Sequence, residues 1–342
     1  MAERTLQLEQ SWSWKRFFMQ WEWMLVLIFL LIHVMNSYLS PYYLNLNTFI
    51  RTPQTFLDKA FLVLPMTLVI ILGNIDVSVG STVALSSVIM ATSYNAGLPM
   101  PLAMVLCLVV STACGLFNGF LQAKFKELSA AIITISTMTI YRGFAYVILE
   151  NRASGGFPQW YSNLGWGSVG GIPIMVIVFA VCAVLFALLM HKTTFGRAVY
   201  GMGNNLQACR YSGIRTNRIL IIVGMLTGLM AGFTALFLTS RMGSTRPNVA
   251  MGYELEVIAM VVLGGVSTSG GKGRMIGPVL AVFIVGFLSY GLGLVNISAQ
   301  MLLIIIGSLL ILSVVVLNMR FSKKRKTLVI TAGKQTESLK NQ

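Results

Sequence analysis

The stretch GNIDVSVGS, residues 73–81, separates two apolar runs, LVLPMTLVIIL (62–72) and TVALSSVIMA (82–91). It brings Asn74 and Asp76 into a region that otherwise reads as membrane helix. A carboxylate inside a bilayer costs about 2.5–3.5 kcal/mol on insertion scales unless it faces protein or water. Either Asp76 marks the end of a span, where water is at hand, or it stands in a polar break that serves transport. The flanking runs read as membrane helices because of the whole chain's composition. Of 342 residues, 56% are hydrophobic and 10% charged, whereas soluble domains carry about 25% charged residues. At roughly 20 apolar residues per span there is room for about eight to eleven helices, too many for a soluble core with one anchor. The expected fold class is therefore all-α: a single polytopic membrane domain over residues 1–342, some of its helices broken. Apolar runs place ten spans at about residues 24–40, 57–73, 80–95, 101–122, 128–149, 172–190, 219–239, 254–267, 275–295 and 298–318.

The formal charge of +15 gains meaning from its distribution. With the N-terminus in the cytoplasm, the ten spans put 19 of the 25 Lys and Arg residues on the cytoplasmic side and leave 6 on the other, among them Arg51, Lys59, Arg142 and Arg241. This asymmetry is the positive-inside pattern, so both termini, residues 1–20 and 319–342, are expected in the cytoplasm. The basic tail RFSKKRK (320–326) reads as a topology signal and a contact for anionic lipid, with no nucleic-acid partner called for. SWSWKRFFMQWEW (11–23) leads into the first apolar run without a small-residue cleavage site, so the first span reads as uncleaved, with Trp21 and Trp23 at the interface. Cys107, Cys114, Cys182 and Cys209 are scattered and match no metal-ligand spacing; they read as packing residues.

A second break, VLGGVSTSGGKG (262–273), resembles the first in its glycines, and both fall on the cytoplasmic side of this topology. Unwound backbone of this kind can line a cavity in a transporter. The GGKG within it is no phosphate-binding loop, because Val266 and Gly273 stand where that motif needs glycine and a hydroxyl residue. GMGNNL (201–206) likewise lacks the third glycine of a dinucleotide fingerprint. His33 and His191 are isolated, and no catalytic cluster or metal set is evident. The longest polar stretch between spans is HKTTFGRAVYGMGNNLQACRYSGIRTNR (191–218). Asn204 or Asn205 can cap a short helix through Tyr211, and Gly213 can stop it in the left-handed conformation. A solvated basic loop is the other reading of the same residues.

Four stretches together resemble the bacterial ABC sugar importer permeases of the ribose, xylose, rhamnose and autoinducer-2 type. They are GNIDVSVGS (73–81), TISTMTIYRGFA (134–145), TTFGRAVYGMGNNLQACRYSGI (193–214) and VVLGGVSTSGGKGRMIGPVLA (261–281), in order and spread over roughly residues 55–315. The resemblance implies a permease in the bacterial inner membrane. Its partners would be a second permease chain, the same or a sister, two ABC ATPase subunits and an extracytoplasmic solute-binding protein. It implies no cofactor on this chain, ATP being used by the ATPase partners. Autoinducer-2 is the favoured solute, then rhamnose or ribose. The resemblance also implies that residues 193–214 form the ATPase-coupling segment, with Arg197, Asn204, Ala208, Gly213 and Ile214 matching the family pattern and Cys209 departing from it by one small residue for another.

Asn74, Asp76, Ser78 and Gly80 are then candidates for a broken helix or for the translocation path. Asp76 can cap the following helix by accepting N–H groups near Ser78 and Val79, can line the path, or can relay an ion. Ser136, Thr137 and Tyr141 can meet a polyhydroxylated solute or can pack helices together. Arg142 reads as a snorkelling side chain near the outer interface. Glu254 and Glu256 fit an outer loop or span start, where they could meet the binding protein or simply favour a helix N-terminus. The competing function is an ion-coupled secondary transporter working through Asp76.

Overall fold

The computed structural model describes residues 21–298 and, beyond them, 301, 304, 305, 307, 308, 311 and 315. The terminal tails expected at 1–20 and 319–342, and most of the span expected at 298–318, lie outside the described residues.

Helix α1 (Trp21–Leu39) is followed by α2 (Leu46–Arg51), a 3-10 turn (Thr52–Thr55) and α3 (Leu57–Ile71). Pro53, which brings no N–H to the helix ladder, sits at the start of that turn, and the chain bends by 62° between α2 and α3. Fourteen of the fifteen residues of α3 are buried. A helix that is apolar all round and covered all round belongs in the centre of a bundle rather than at its lipid rim. Helix α4 (Val79–Asn95) is the other largely buried helix, and α11 (Thr216–Met242) packs against both. The α4 hydroxyl residues Ser81, Thr82, Ser86 and Ser87 are buried and bond carbonyls one turn back.

Around this pair stand α5 (Met100–Lys124), α6 (Ala130–Leu149), α8 (Ile174–Lys192), α11 (Thr216–Met242) and α13 (Ile276–Leu294). Exposed Leu27, Leu30 and Leu31 on α1, Val105 and Val109 on α5, and Val181, Val184 and Leu185 on α8 form the apolar outer face. Helices α5 and α11 touch backbone to backbone. A Cβ on Gly224 would lie 2.5 Å from the Gly115 carbonyl and 2.9 Å from Gly119 Cα, and one on Gly228 would lie 3.0 Å from Gly115 Cα. Each helix thus presents glycines four residues apart, the arrangement that lets membrane helices approach closely.

One end of the bundle carries Lys124, Lys126, Lys192, Arg197, Arg210, Arg215 and Arg218, together with α9 (Thr194–Asn204) and α10 (Leu206–Tyr211); it is called the basic end below. The far end carries α7 (Gln159–Trp166) and two short strand pairs, β1 (Ser154–Gly155) with β4 (Ser244–Thr245) and β2 (Ser168–Val169) with β3 (Ile172–Pro173). Helix α12 (Tyr253–Leu263) completes the described elements.

Among the described residues six helices are long and apolar enough to cross a membrane, or seven if the bent pair counts as one span. The difference from ten has identifiable sources. The expected span 80–95 is a 17-residue helix, about 25 Å long, and the expected span 254–267 is an 11-residue helix of about 16 Å, half a bilayer. The segment preceding it, residues 246–252, dips into the bundle as a series of turns, which hydropathy alone does not distinguish from surface loop.

Candidate coupling and translocation site

The polar stretch at the basic end forms two helices where the sequence suggested one. Thr193 Oγ accepts the Gly196 N–H at 3.2 Å and opens α9. Asn205, rather than Asn204, caps α10 by accepting the Ala208 N–H at 2.9 Å. Gly213 has φ +78°, with its N–H on the Arg210 carbonyl and the Ile214 N–H on the Cys209 carbonyl. That pair of bonds is the left-handed helix stop in which glycine carries no Cβ penalty. Of the six residues of α10 only Cys209 is buried. Leu206, Ala208, Arg210 and Tyr211 are exposed, Tyr211 at 92%, as is Arg197 on α9.

The inner side of α9 touches both breaks of the sequence. Asn204 Nδ2 donates to the Gly271 carbonyl at 3.2 Å, and the Tyr200 hydroxyl donates to the Gly273 carbonyl at 2.6 Å. Burial pushes the Tyr200 hydroxyl up to about 12, against a smaller opposing effect of Arg274, so it remains a donor at neutral pH. The Gly271 N–H in turn donates to the Ile71 carbonyl at the end of α3, at 2.8 Å. A Cβ on Gly203 would collide with Ile71 O and lie 2.5 Å from Gly271 N. The end of α9, the end of α3 and the second break therefore meet as bare backbone. Gly270 and Gly271, at φ +80° and +70°, supply the left-handed turns that bring the second break there.

In the first break, Gly73 at φ +80° ends α3, and Asn74 Nδ2 lies 3.4 Å from Gln122 Oε1. Asp76 is buried and accepts from both the N–H and the hydroxyl of Ser78, at 2.9 and 2.6 Å. Asn118 Nδ2 donates to Ser78 Oγ at 2.7 Å, and the Tyr141 hydroxyl lies 3.1 Å from Asn118 Oδ1 and 3.0 Å from the Cys114 carbonyl. A polar chain thus ties the first break to α5 and α6. Thr137 and Tyr141 face this interior, whereas Ser136 is exposed and bonds the carbonyl of Ile132. Gly80 packs under the next feature, since a Cβ there would lie 2.5 Å from both the Ala250 carbonyl and a Glu254 carboxylate oxygen.

Arg142 does not snorkel. Its guanidinium donates to the carbonyls of Pro247 and Val249, at 2.7 and 2.8 Å, and so holds the chain between β4 and α12. That chain is non-helical and has carbonyls to spare, which outweighs the pull of the interface. Glu254 and Glu256 stand in the first turn of α12, the span-start alternative, rather than in an outer loop. Glu256 forms an ion pair with Lys59 on α3, and Glu254 accepts from the Gly252 N–H at 3.2 Å. Alongside them, Arg241 at the end of α11 pairs with Asp58 at 2.8 Å, and the Tyr253 hydroxyl reaches the same Asp58 oxygen at 3.3 Å. Among the residues sequence reasoning passed over, Asp58 and Lys59 had a signal, two adjacent charges at the head of an apolar run; Asn118 and Tyr200 had none. No group of three His, Cys, Asp or Glu side chains that could hold a metal occurs among the described residues.

The model of a protein family described as branched-chain amino acid transport system / permease component matches residues 54–314. An autoinducer 2 import system permease protein LsrD from Yersinia enterocolitica is 35% identical over 278 residues, 80% of this chain and 84% of that protein. Its namesakes from Escherichia coli K12 and Shigella flexneri are 33% identical over 302 residues, 86% of this chain and 91% of theirs. No solved structure matches the chain.

Proposed function

We propose, on the premise that the chain belongs to the family of branched-chain amino acid transport system permease components, that it is the membrane-conducting subunit of an ABC importer for a small sugar-like solute. Autoinducer 2 is the first choice of solute, because relatives sharing 33–35% of their residues with the chain are permeases of an autoinducer 2 import system. Rhamnose and ribose come after it. The chain works as a transport permease and not as an enzyme; separate ATPase subunits hydrolyse ATP, and a binding protein delivers the solute. It sits in the bacterial inner membrane with its basic end and both termini in the cytoplasm, and it pairs with a second permease to enclose the path.

The observation that carries this reading is the two-sided character of α9 and α10. Outward, α10 offers a small, exposed surface around Ala208 and Tyr211, suited to a cleft in another protein. Inward, α9 is bonded to Gly271, to Gly273 and, through Gly271, to Ile71. Closure of the ATPase pair on α10 is then transmitted to the ends of α3 and α12 and to both breaks. Arg197, Asn204, Ala208, Gly213 and Ile214 make up this coupling segment; Asn74, Asp76, Ser78 and Gly80 shape the break it moves. A carrier driven by an ion gradient has no need of such a surface, and one oxygen of Asp76, the residue it would use, already accepts two bonds from Ser78.

The test is uptake in vesicles. The chain reconstituted with ATPase and binding protein is expected to accumulate solute only with hydrolysable ATP. Accumulation by the chain alone on an imposed proton or sodium gradient would overturn the reading.

A further inference from the structure

The chain between α11 and α12 turns back into the bundle. Thr245 Oγ lies 2.7 Å from Ser87 Oγ, midway along α4, while the Ala250 carbonyl lies against Gly80 near the start of that helix. Residues 245–250 therefore descend beside about seven residues of α4, roughly 10 Å. Irregular backbone at such depth is tolerated only where protein buries it or water reaches it. This segment meets both conditions in alternation. Thr245, Pro247, Val249 and Ala250 are buried, the carbonyls of Pro247 and Val249 being held by Arg142, whereas Arg246 and Asn248 are exposed.

Arg246 and Asn248 border an open cavity of about 650 Å³, shared with Ser244, Arg241 and Tyr253. An arginine is costly against hydrocarbon, so this face of the segment opens on water. The volume lies within the range of sites for small molecules.

We propose that this cavity is a transit site in which Arg246 and Asn248 hold a small polyhydroxylated solute. The chemistry matches group by group. A solute hydroxyl both donates and accepts, as the Asn248 amide does, and the Arg246 fork spans two neighbouring oxygens. Arg142 positions the segment that carries them without touching the solute. The inference rests on the importer reading and adds the residues through which the solute passes.

All four native cysteines are buried, which makes single cysteines informative reporters. Asn248→Cys and Arg246→Cys, each in the full complex with ATPase and binding protein, are treated with a charged methanethiosulfonate reagent. Both thiols are expected to react, while Val105→Cys on the apolar outer face does not. Autoinducer 2, rhamnose and ribose, each presented with the binding protein, identify the solute as the one that slows labelling several-fold. Asn248→Ala is expected to lower solute moved per ATP about tenfold, equivalent to about 1.4 kcal/mol, with ATP hydrolysis still stimulated by the binding protein. Unreactive thiols at both positions would overturn the transit site, as would labelling and uptake per ATP that no solute and no substitution changes. A wild-type complex that imports none of the three solutes with ATP would instead sink the importer reading.

Discussion

Replacing Gly203 with alanine tests whether α9 is seated on the breaks or merely near them. The added methyl would run into the Ile71 carbonyl and lie 2.5 Å from Gly271 N. Both obstacles are backbone, so no flexible side chain can yield and one of the three segments has to move. Overpacking of this kind costs about 1–3 kcal/mol. Parting the Gly271 N–H from the Ile71 carbonyl forfeits a further net 0.5–1.5 kcal/mol, roughly. The seated arrangement is thus disfavoured by about 1.5–4.5 kcal/mol, at least a tenfold shift away from it. The exposed face of α10 is untouched, so the ATPase should still co-purify and still hydrolyse ATP. Solute accumulated per ATP in proteoliposomes should fall at least tenfold, with a lower melting temperature in detergent. Gly293→Ala is the control, because a Cβ there meets nothing within 4 Å. Wild-type coupling and melting in Gly203→Ala would refute the backbone contact and with it the route of coupling.

Asp76→Asn keeps an acceptor for Ser78 and should retain assembly and much of the uptake. Asp76→Leu strands two buried donors at about 1–3 kcal/mol each and should reduce the yield of folded protein on size-exclusion chromatography; equal loss of uptake in both variants with normal assembly would speak for a role of the charge itself. Ala208→Trp and Gly213→Val should weaken ATPase retention in a pull-down, the first by blocking the exposed face of α10 and the second by straining a residue at φ +78°; wild-type retention in both would move the contact elsewhere. Gly224→Leu should force α5 and α11 apart and cost stability at the upper end of the overpacking range, about 3 kcal/mol, seen as a lower melting temperature, while an unchanged melt would contradict the close crossing.

The parts of the fold that were legible in the sequence are those set by composition and by residues with one conformational habit. The apolar runs gave the long helices, and Gly213 and the pair Asn204 and Asn205 marked the stop and cap of α10 because left-handed turns and side-chain caps are local choices, though which asparagine caps was left to the structure. Contact between the two breaks was not legible, since it is made by backbone groups of Ile71, Gly203 and Gly271, which carry no side-chain signature. The glycines of α5 and α11 could have been read as close-approach pairs from their four-residue spacing alone. Arg142 was misplaced, whereas Glu254 and Glu256 stand at a helix start, one of the two places their sequence suggested. Charge near the end of an apolar run suggests an interface, yet the Arg142 guanidinium has its partners inside the bundle, on the non-helical chain between β4 and α12.

Those inward charges bear on coupling as well. At the far end of α3, Asp58 and Lys59 are paired with Arg241 on α11 and Glu256 on α12. At the basic end, Ile71 is bonded to Gly271, beyond the end of α12. Helix α3 is therefore tied to the α12 region at both of its ends. Both pairs are part-buried and charge-assisted, and such bonds are roughly twice as strong as a neutral backbone hydrogen bond like the one at the other end, about 0.5–1.5 kcal/mol net. A push delivered through α9 meets its weaker restraint at Gly271 and its stronger one at Asp58 and Lys59. The motion with the least cost is a tilt of α3 and α12 together about the ion-paired end. That tilt moves the break at Asp76, which continues α3, and the second break beyond the end of α12, while the far ends, the Glu254 turn among them, stay where Arg241 and Lys59 hold them.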